Sequence, residues 1–428
     1  MFIIYDLIYL VAAIFYLPVF LWRKKCHAGF MQRLGILPRD LKLKAPIWIH
    51  AVSVGEVMSI RPLLEELRKI YPDKRFVIST VTPTGNKIAR NIARNQDWVT
   101  YLPLDLSFIV SSVMEKIKPS LFILAETELW PNLITHLYQK GVPLIVVNAR
   151  ISDASFKGYL CIRFLLKNML NKIHLFCVQT RRDSQRLIRL GVSENRIRIT
   201  GNMKFDIHNY TGLRKDAKDL RPKLGIKPQE KFLVAGSTHT GEEEVILAAY
   251  KKLLVNFPDL RLLIAPRHPE RTSEVQRLIQ LSGFAAVRIS QLSPSEASRS
   301  DKVAVFILDT VGELLSFYSI ADVVFVGGSL VRKGGHNILE PAMFAKPVLF
   351  GPHMFNFRDI AELFLEQRAA LLVKDTQELY LKIKDLLDNP SKIEFLTQRA
   401  RDLLIANQGA TQKNTQIIKD LCGRISTV

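Results

Sequence analysis

The sequence predicts an α/β protein of two doubly wound parallel-sheet halves behind a single membrane helix. Three observations carry that reading: short β-rich apolar runs alternate with longer amphipathic stretches, a polar stretch near the middle breaks the alternation, and a long apolar run opens the chain. Strands that alternate with helical patterns form a parallel sheet covered on both faces. At roughly 100–200 residues per domain, the 428 residues suggest two or three domains, each large enough for a core. With 48% hydrophobic and 23% charged residues, this is a folding composition and not a disordered one.

The opening run, Phe2 to Trp22, reads FIIYDLIYLVAAIFYLPVFLW, with Asp6 as its one charge. At about 1.5 Å per residue it would reach roughly 30 Å, the thickness of a bilayer core. Arg23, Lys24 and Lys25 follow at once, with Arg33, Arg39, Lys42 and Lys44 beyond them. Basic residues stay on the cytoplasmic side, so the N-terminus is expected outside and the rest within the cell, residues 1–25 being the anchor. A cleaved signal peptide would carry its positive charge ahead of the apolar run, not behind it. A helix lying in the membrane surface is the other competitor.

In chain order, the strands of the first half are expected at Ile47–Ala51, Phe76–Thr80, Leu121–Ala125, Leu144–Asn148, Leu175–Gln179 and Arg196–Thr200. Helical patterns separate them, Ser59–Ile70 and Asn86–Arg94 among them. From about Asp206 to Glu230 the chain turns polar and charged, with Gly212, Pro222, Gly225 and Pro228, and reads as a linker. Strands resume at Phe232–Gly236, Arg261–Pro266, Val303–Leu308, Val323–Gly327 and Pro347–Phe350. The domains are therefore placed at 26–205 and 231–428, with ligand in a cleft between them beyond the carboxyl ends of the strands.

Composition and motifs exclude several functions. The four cysteines (Cys26, Cys161, Cys177, Cys422) include no C-x-x-C pair, which argues against a disulfide scaffold or zinc ribbon. A net charge of +20 points to nucleic acid, anionic lipid or phosphorylated substrates. No G-x-G occurs, so the dinucleotide fingerprint is missing. Gly236-Ser-Thr-His-Thr-Gly241 has P-loop spacing, but Glu242 stands where Lys is required. With no D-x-D, H-E-x-x-H or E-x-x-H, the working assumption is chemistry without a metal or other cofactor.

What remains is a set of polar clusters at expected strand ends. They are His50-Ala-Val-Ser-Val-Gly-Glu56, Ala125-Glu-Thr-Glu-Leu-Trp-Pro131, Gly201-Asn-Met-Lys-Phe-Asp206, Gly236-Ser-Thr-His, Pro266-Arg-His-Pro269, Asp309-Thr-Val-Gly-Glu-Leu314 and the glycine-rich run from Gly327 to Pro341. In order and spacing these clusters, with the apolar N-terminus, resemble the 3-deoxy-D-manno-octulosonate (Kdo) transferases of lipopolysaccharide synthesis over essentially the whole chain. The resemblance implies an inverting, metal-independent glycosyltransferase with two facing Rossmann-like domains, the GT-B arrangement. It implies CMP-Kdo as donor, a lipid A precursor as acceptor and the bacterial inner membrane as location. The basic helical segment from about Asp388 to Val428 would, in that architecture, cross back to the first half.

The same resemblance implies residue roles. Glu56 would be the proton acceptor, at a strand-to-helix turn whose positive end keeps the carboxylate ionised. The plainer alternative is a capping box, Ser53 followed three residues on by Glu56. Glu126 would stabilise positive charge developing on the sugar ring. A persisting strand would point Glu126 and Glu128 to opposite faces, so only one would enter the cleft. Lys204, otherwise a surface charge, would face the sugar carboxylate or phosphate. CMP would be held by Arg267 and His268, by Val311, Gly312 and Glu313, and by Asn337, Ile338, Leu339 and Glu340. An arginine can bond phosphate bidentately, whereas Glu340 is either a ribose acceptor or a solvated helical residue. Arg150, Ser152 and Asp153 are weaker candidates near the acceptor's phosphates.

Two other functions compete. One is a two-domain sugar-nucleotide enzyme with a UDP-linked donor, as transferase or epimerase. The other is a tethered nucleic-acid-binding protein, against which stands the lack of aromatic-basic interleaving.

Overall fold

The computed structural model describes residues 5–7, 9–11, 29–38, 41, 43–206, 220–292 and 304–425. The chain divides into two compact units, Met1–Ile207 with Asn407–Val428, and His208–Ala406.

In the first unit, strands β1 (Ile47–His50), β2 (Phe76–Thr80), β3 (Trp98–Tyr101), β4 (Leu121–Ala125), β5 (Leu144–Ala149), β6 (Leu175–Val178) and β7 (Ile197–Ile199) alternate with helices. The helices are α1 (Val54–Ile70), α2 (Pro83–Ile92), α3 (Ser107–Ile117), α4 (Pro131–Gln139), α5 (Asp153–Cys161), α6 (Arg163–Leu170) and α7 (Arg181–Leu190). The strands pair in parallel in the order β3-β2-β1-β4-β5-β6-β7. Side-chain alternation feeds two cores. Phe122 and Leu124 of β4 join Trp48 and Phe176 on one face, while Leu121, Ile123 and Ala125 join Ile49 and Ile78 on the other. Each fully buried side chain of this size contributes about 1.5–3 kcal/mol.

The second core also holds Met203, Ala410 and Ile418, so a helix from the far end of the chain completes it. That helix begins at Ala410 and ends at Ile425. Asp206 fastens its start: one carboxylate oxygen accepts the Gly409 N–H at 2.7 Å and the other the Thr411 N–H. The segment expected to cross back, about 388–428, is thus divided: residues 407–428 belong to the first unit, as expected, and 388–406 to the second.

In the second unit come β8 (Phe232–Thr238), α8 (Glu242–Leu253), β9 (Arg261–Pro266), α9 (Thr272–Leu281), β10 (Ala285–Arg288), β11 (Ala304–Ile307), α10 (Leu314–Ile320) and β12 (Val323–Val326). Then follow α11 (Leu339–Met343), β13 (Val348–Phe350), α12 (Arg358–Glu366), β14 (Leu371–Leu372), α13 (Thr376–Asp388) and α14 (Pro390–Asn407), after which Ala410–Ile425 is α15. The order is β10-β11-β9-β8-β12-β13-β14, again parallel. Each sheet reverses direction once, between β1 and β4 in the first and between β8 and β12 in the second. The loops leaving these pairs part to opposite faces, which opens a crevice at the strand ends.

Of the predicted linker, residues 207–219 lie outside the described residues. Residues 220–230 belong to the second unit: Arg221 pairs with Asp322 at 2.5 Å and Glu230 with Arg261 at 3.3 Å. Most of the predicted membrane segment (2–4, 8 and 12–22) lies outside the described residues, as do Arg23, Lys24, Lys25, Arg39 and Lys42. Among the described residues, no helix is long and apolar enough to cross a membrane. Asp6, expected within the membrane run, instead lies on the first unit, where its carboxylate accepts from the Ser107 N–H (3.1 Å), the Ser107 hydroxyl and Asn132 Nδ2 (2.7 Å). Such donors replace the water that a charge would lose in hydrocarbon.

Candidate functional site

The chain leaves β1 and turns through Ser53, the N-cap of α1, which puts Glu56 in the first helical turn. Glu56 is 8% exposed. Its Oε2 accepts the Val52 N–H at 2.7 Å and its Oε1 accepts the Ser53 hydroxyl at 2.9 Å. The capping-box alternative is realised only in part, because the Ser53 hydroxyl serves the carboxylate and makes no bond to the helix backbone. The expectation that the helix start keeps Glu56 ionised is corrected. Burial, then the charge of Glu126, raise its pKa to about 7, with Glu128 adding and the two hydrogen bonds only partly opposing. A carboxylate titrating near neutrality suits a general base.

β4 ends at Ala125, and Glu126 takes a left-handed backbone at φ 57° while its N–H still bonds the Val147 carbonyl at 2.9 Å. That turn overturns the opposite-faces expectation: the alternation stops, and both Glu126 and Glu128 raise the pKa of Glu56. Burial and then Glu126 raise the Glu128 carboxyl in turn. Glu126 lies between two cations, Lys204 Nζ at 3.2 Å from Oε1 and Arg150 Nε at 3.4 Å from Oε2.

Lys204 sits in the turn Met203–Asp206, which hydrogen bonds shape closely. Asn148, at φ 54°, accepts the Met203 N–H on Oδ1 at 3.0 Å, and Asn202 Oδ1 accepts the Lys204 N–H at 3.0 Å. Glu56, Glu126 and Lys204, distant in sequence, thus meet at the β1/β4 switch point. Nothing in the local sequence marks Asn148, which holds the start of this turn, or Asp206, which ties the turn to the helix 410–425. The sequence marks Arg150 but not its contact to Glu126.

Two weaker candidates serve local structure. The Ser152 hydroxyl caps α5 by accepting the Ser155 N–H at 3.1 Å, and Asp153 is paired with Arg182 at 2.7 Å and with Arg186. His50 is fully buried, its Nδ1 3.0 Å from the Ser79 carbonyl, and burial lowers its pKa to about 3. It is a neutral core residue.

In the second unit, the segment with P-loop spacing has an unexpected use. Glu242 is fully buried, and its carboxylate accepts backbone N–H groups from His239 (2.9 Å), Gly328 (2.6 Å), Ser329 (3.0 Å) and Leu330 (2.9 Å). A side chain therefore occupies the kind of backbone nest that holds phosphate in P-loops. Beside it, Glu243 accepts the Thr238 hydroxyl and the Arg271 guanidinium, both at 2.9 Å.

Arg267 and His268 follow β9 and are exposed, the Arg267 N–H bonding the Thr238 carbonyl at 2.9 Å. His239 lies next to this pair, its ring edge-on to His268 at 5.6 Å and parallel to His336 at 5.3 Å. Asn337 orients Glu340 through an Nδ2 to Oε1 bond of 3.2 Å and accepts the Leu339 N–H. Glu340 is not the solvated residue of the plainer alternative: burial raises its pKa to about 7, opposed by Asn337 and Arg267. Ile338 and Leu339 are buried at the start of α11. Val311, Gly312 (φ 97°) and Glu313 form an exposed turn between β11 and α10, where the Thr310 hydroxyl bonds Glu313. No group of three or more His, Cys, Asp or Glu among the described residues is placed to hold a metal ion.

The family profile described as 3-Deoxy-D-manno-octulosonic-acid transferase (kdotransferase) matches residues 28–207. The 3-deoxy-D-manno-octulosonic acid transferase of Haemophilus influenzae is 37% identical over 374 residues, covering 87% of this chain and 86% of that protein. The one of Chlamydophila psittaci is 32% identical over 424 residues, covering 97% and 95%. Among solved structures, a UDP-N-acetylglucosamine 2-epimerase covers 90% of this chain and 98% of its own, with a TM-score of 0.58 and 13% identity. A glycosyltransferase from Rickettsia africae covers 88% and 98%, with a TM-score of 0.55 and 17% identity. At such identities the likeness is of fold alone.

Proposed function

Because this chain belongs to the 3-deoxy-D-manno-octulosonic acid (Kdo) transferase family, and is thus a glycosyltransferase, we propose that it moves Kdo from CMP-Kdo to a hydroxyl of a lipid A precursor in lipopolysaccharide synthesis. The observation that carries the reading is Glu56, a carboxylate held by two donors and titrating at about 7 beside the Glu126–Lys204 pair. In the proposed step the acceptor oxygen attacks the anomeric carbon from the face opposite the nucleotide, which inverts that centre. The acceptor's proton passes to Glu56, and the bond from carbon to phosphate oxygen breaks with its electron pair leaving on CMP. Glu126 answers positive charge on the ring. Lys204, oriented by Glu126, answers the negative charge of the sugar carboxylate or the departing phosphate.

Arg267, His268, the 311–313 turn and Asn337–Glu340 are the proposed CMP contacts. Arginine and histidine side chains can meet the single phosphate of CMP, so the reading is metal-independent. Attachment to the inner membrane through the apolar N-terminal run and the basic residues behind it belongs to the same reading, with Asp6 held on the first unit.

Incubating the protein with CMP-Kdo and lipid A precursor should yield a Kdo-bearing lipid by mass spectrometry. Glu56→Ala should abolish turnover and keep CMP binding. Full turnover in that variant removes Glu56 as the base. The fold shared with UDP-N-acetylglucosamine 2-epimerases supplies the second reading, a UDP-linked donor. Calorimetry with CMP and UDP decides between them, since tighter UDP binding favours the second.

A further inference from the structure

We propose that His239 and His336, with Arg267, His268 and Lys333, seat the phosphate of the donor nucleotide, a role the family resemblance gives to neither histidine. The inference rests on the reading that the second unit binds a cytidine nucleotide.

The two imidazoles meet at the β8/β12 switch point, one from each side of it. Ser237, at φ 56°, breaks the register of β8 just before its last residue, Thr238, and His239 follows directly on the strand end. His336 comes from the loop after β12, and its Nε2 lies 3.0 Å from His239 Nε2 with the rings 3° from parallel. Gly328, at φ 67°, makes room for them. A Cβ there would stand 3.0 Å from His336 Cδ2 and 3.3 Å from His239 Cδ2. At 3.0 Å, one Nε2 carries the hydrogen and the other accepts it. The ring that donates then has a bare Nδ1, where one more proton can be placed without breaking the pair.

The charges that act on the pair's pKa values are of one sign. Its pKa values respond to His268, Arg267, Arg271 and Lys333, all cationic or able to become so. The adjacent carboxylates are committed elsewhere, Glu242 to four backbone N–H groups and Glu243 to Arg271 and Thr238. Burial together with these cations lowers His239 to about 4 and His336 to about 3. An anion would relieve that repulsion and favour the protonated pair. Because Glu242 already fills the backbone nest, a phosphate at this switch point must be met by side chains instead. His239 and His336 are half-buried, while Arg267, His268 and Lys333 are exposed, so an entering anion can reach them.

The test uses the full chain with isotope-labelled histidine, nine residues in all. His239→Gln and His336→Gln assign the two signals, which are titrated against pH alone, with CMP and with cytidine. With CMP the pair's first protonation, read in both signals, should move at least about one pH unit higher, and cytidine should leave it in place. Each variant should bind CMP about tenfold more weakly and cytidine unchanged, the loss expected for one charge-assisted hydrogen bond. The inference is overturned if CMP binds without moving the signals, or if the variants weaken cytidine as much as CMP. It is equally overturned if zinc alone at micromolar level shifts both signals, which makes the pair a metal site. If the wild-type chain binds no CMP at all, the cytidine-nucleotide reading beneath the inference fails instead.

Discussion

Lys204 Nζ stands 3.2 Å from Glu126 Oε1 across 78 residues of sequence, and Arg150 Nε closes on the other carboxylate oxygen at 3.4 Å. The pair links two strand ends of the first sheet, and through Glu126 it bears on Glu56. A carboxylate whose charge raises a neighbour's pKa while two cations hold it in place acts on both the proton acceptor and the lysine.

Glu126→Gln removes one of the charges that raise Glu56. The acid limb of the pH–rate profile, expected near 7, should therefore move to lower pH. Steady-state rates between about pH 5 and pH 9 check this. A limb that does not move means that the titrating group is not Glu56. Lys204→Ala should cost about 10²–10³-fold in kcat, the usual loss for an electrostatic stabiliser in a desolvated site.

Glu56 carries a stability cost with a definite sign. Its folded-state pKa of about 7 exceeds the ordinary 4.5, so its favourable contribution is complete at low pH and is lost as pH rises through 7. Glu56→Gln keeps an acceptor for the Val52 N–H and is never charged. Urea unfolding should find it more stable than wild type by about 1–3 kcal/mol near pH 8, and nearly equal near pH 5. The same variant should be inactive.

Asp206→Ala should loosen α15, because the Gly409 and Thr411 N–H groups lose their acceptor. A lost cap costs about 1–2 kcal/mol. Hydrogen exchange should show faster opening across residues 410–425, and kcat should fall because Asp206 and Lys204 share one turn.

Glu242→Ala leaves four backbone donors, two of them buried, without their acceptor. A loss of about 3 kcal/mol or more is expected, seen as a lower Tm. Nucleotide affinity should fall with it, since the same residue ties the His239 turn to the loop after β12.

The strands were legible because parallel strands buried on both faces read as continuous apolar runs. β4 appears residue for residue at Leu121–Ala125. The expected strands do not include β3, β10 or β14, all of which are sheet edges with a neighbour on one side only. The candidate residues were legible as clusters after strand ends, but their partners were not. Nothing near Glu126 in sequence announces Lys204, and nothing near Asp206 announces Gly409. Glu242 breaks the P-loop pattern because it is not lysine, whereas its role depends on N–H groups from a loop more than eighty residues on.

By itself, the sequence determined the alternation of strand and helix and the residue types available at each turn, because these follow from local periodicity and backbone preference. Tertiary structure alone decided which charges meet, that the last helix closes the first unit's core, and that Glu56 titrates near 7 and not in the ordinary carboxylate range. A pKa depends on burial and on charges brought close in space, and both are set only when distant segments pack together.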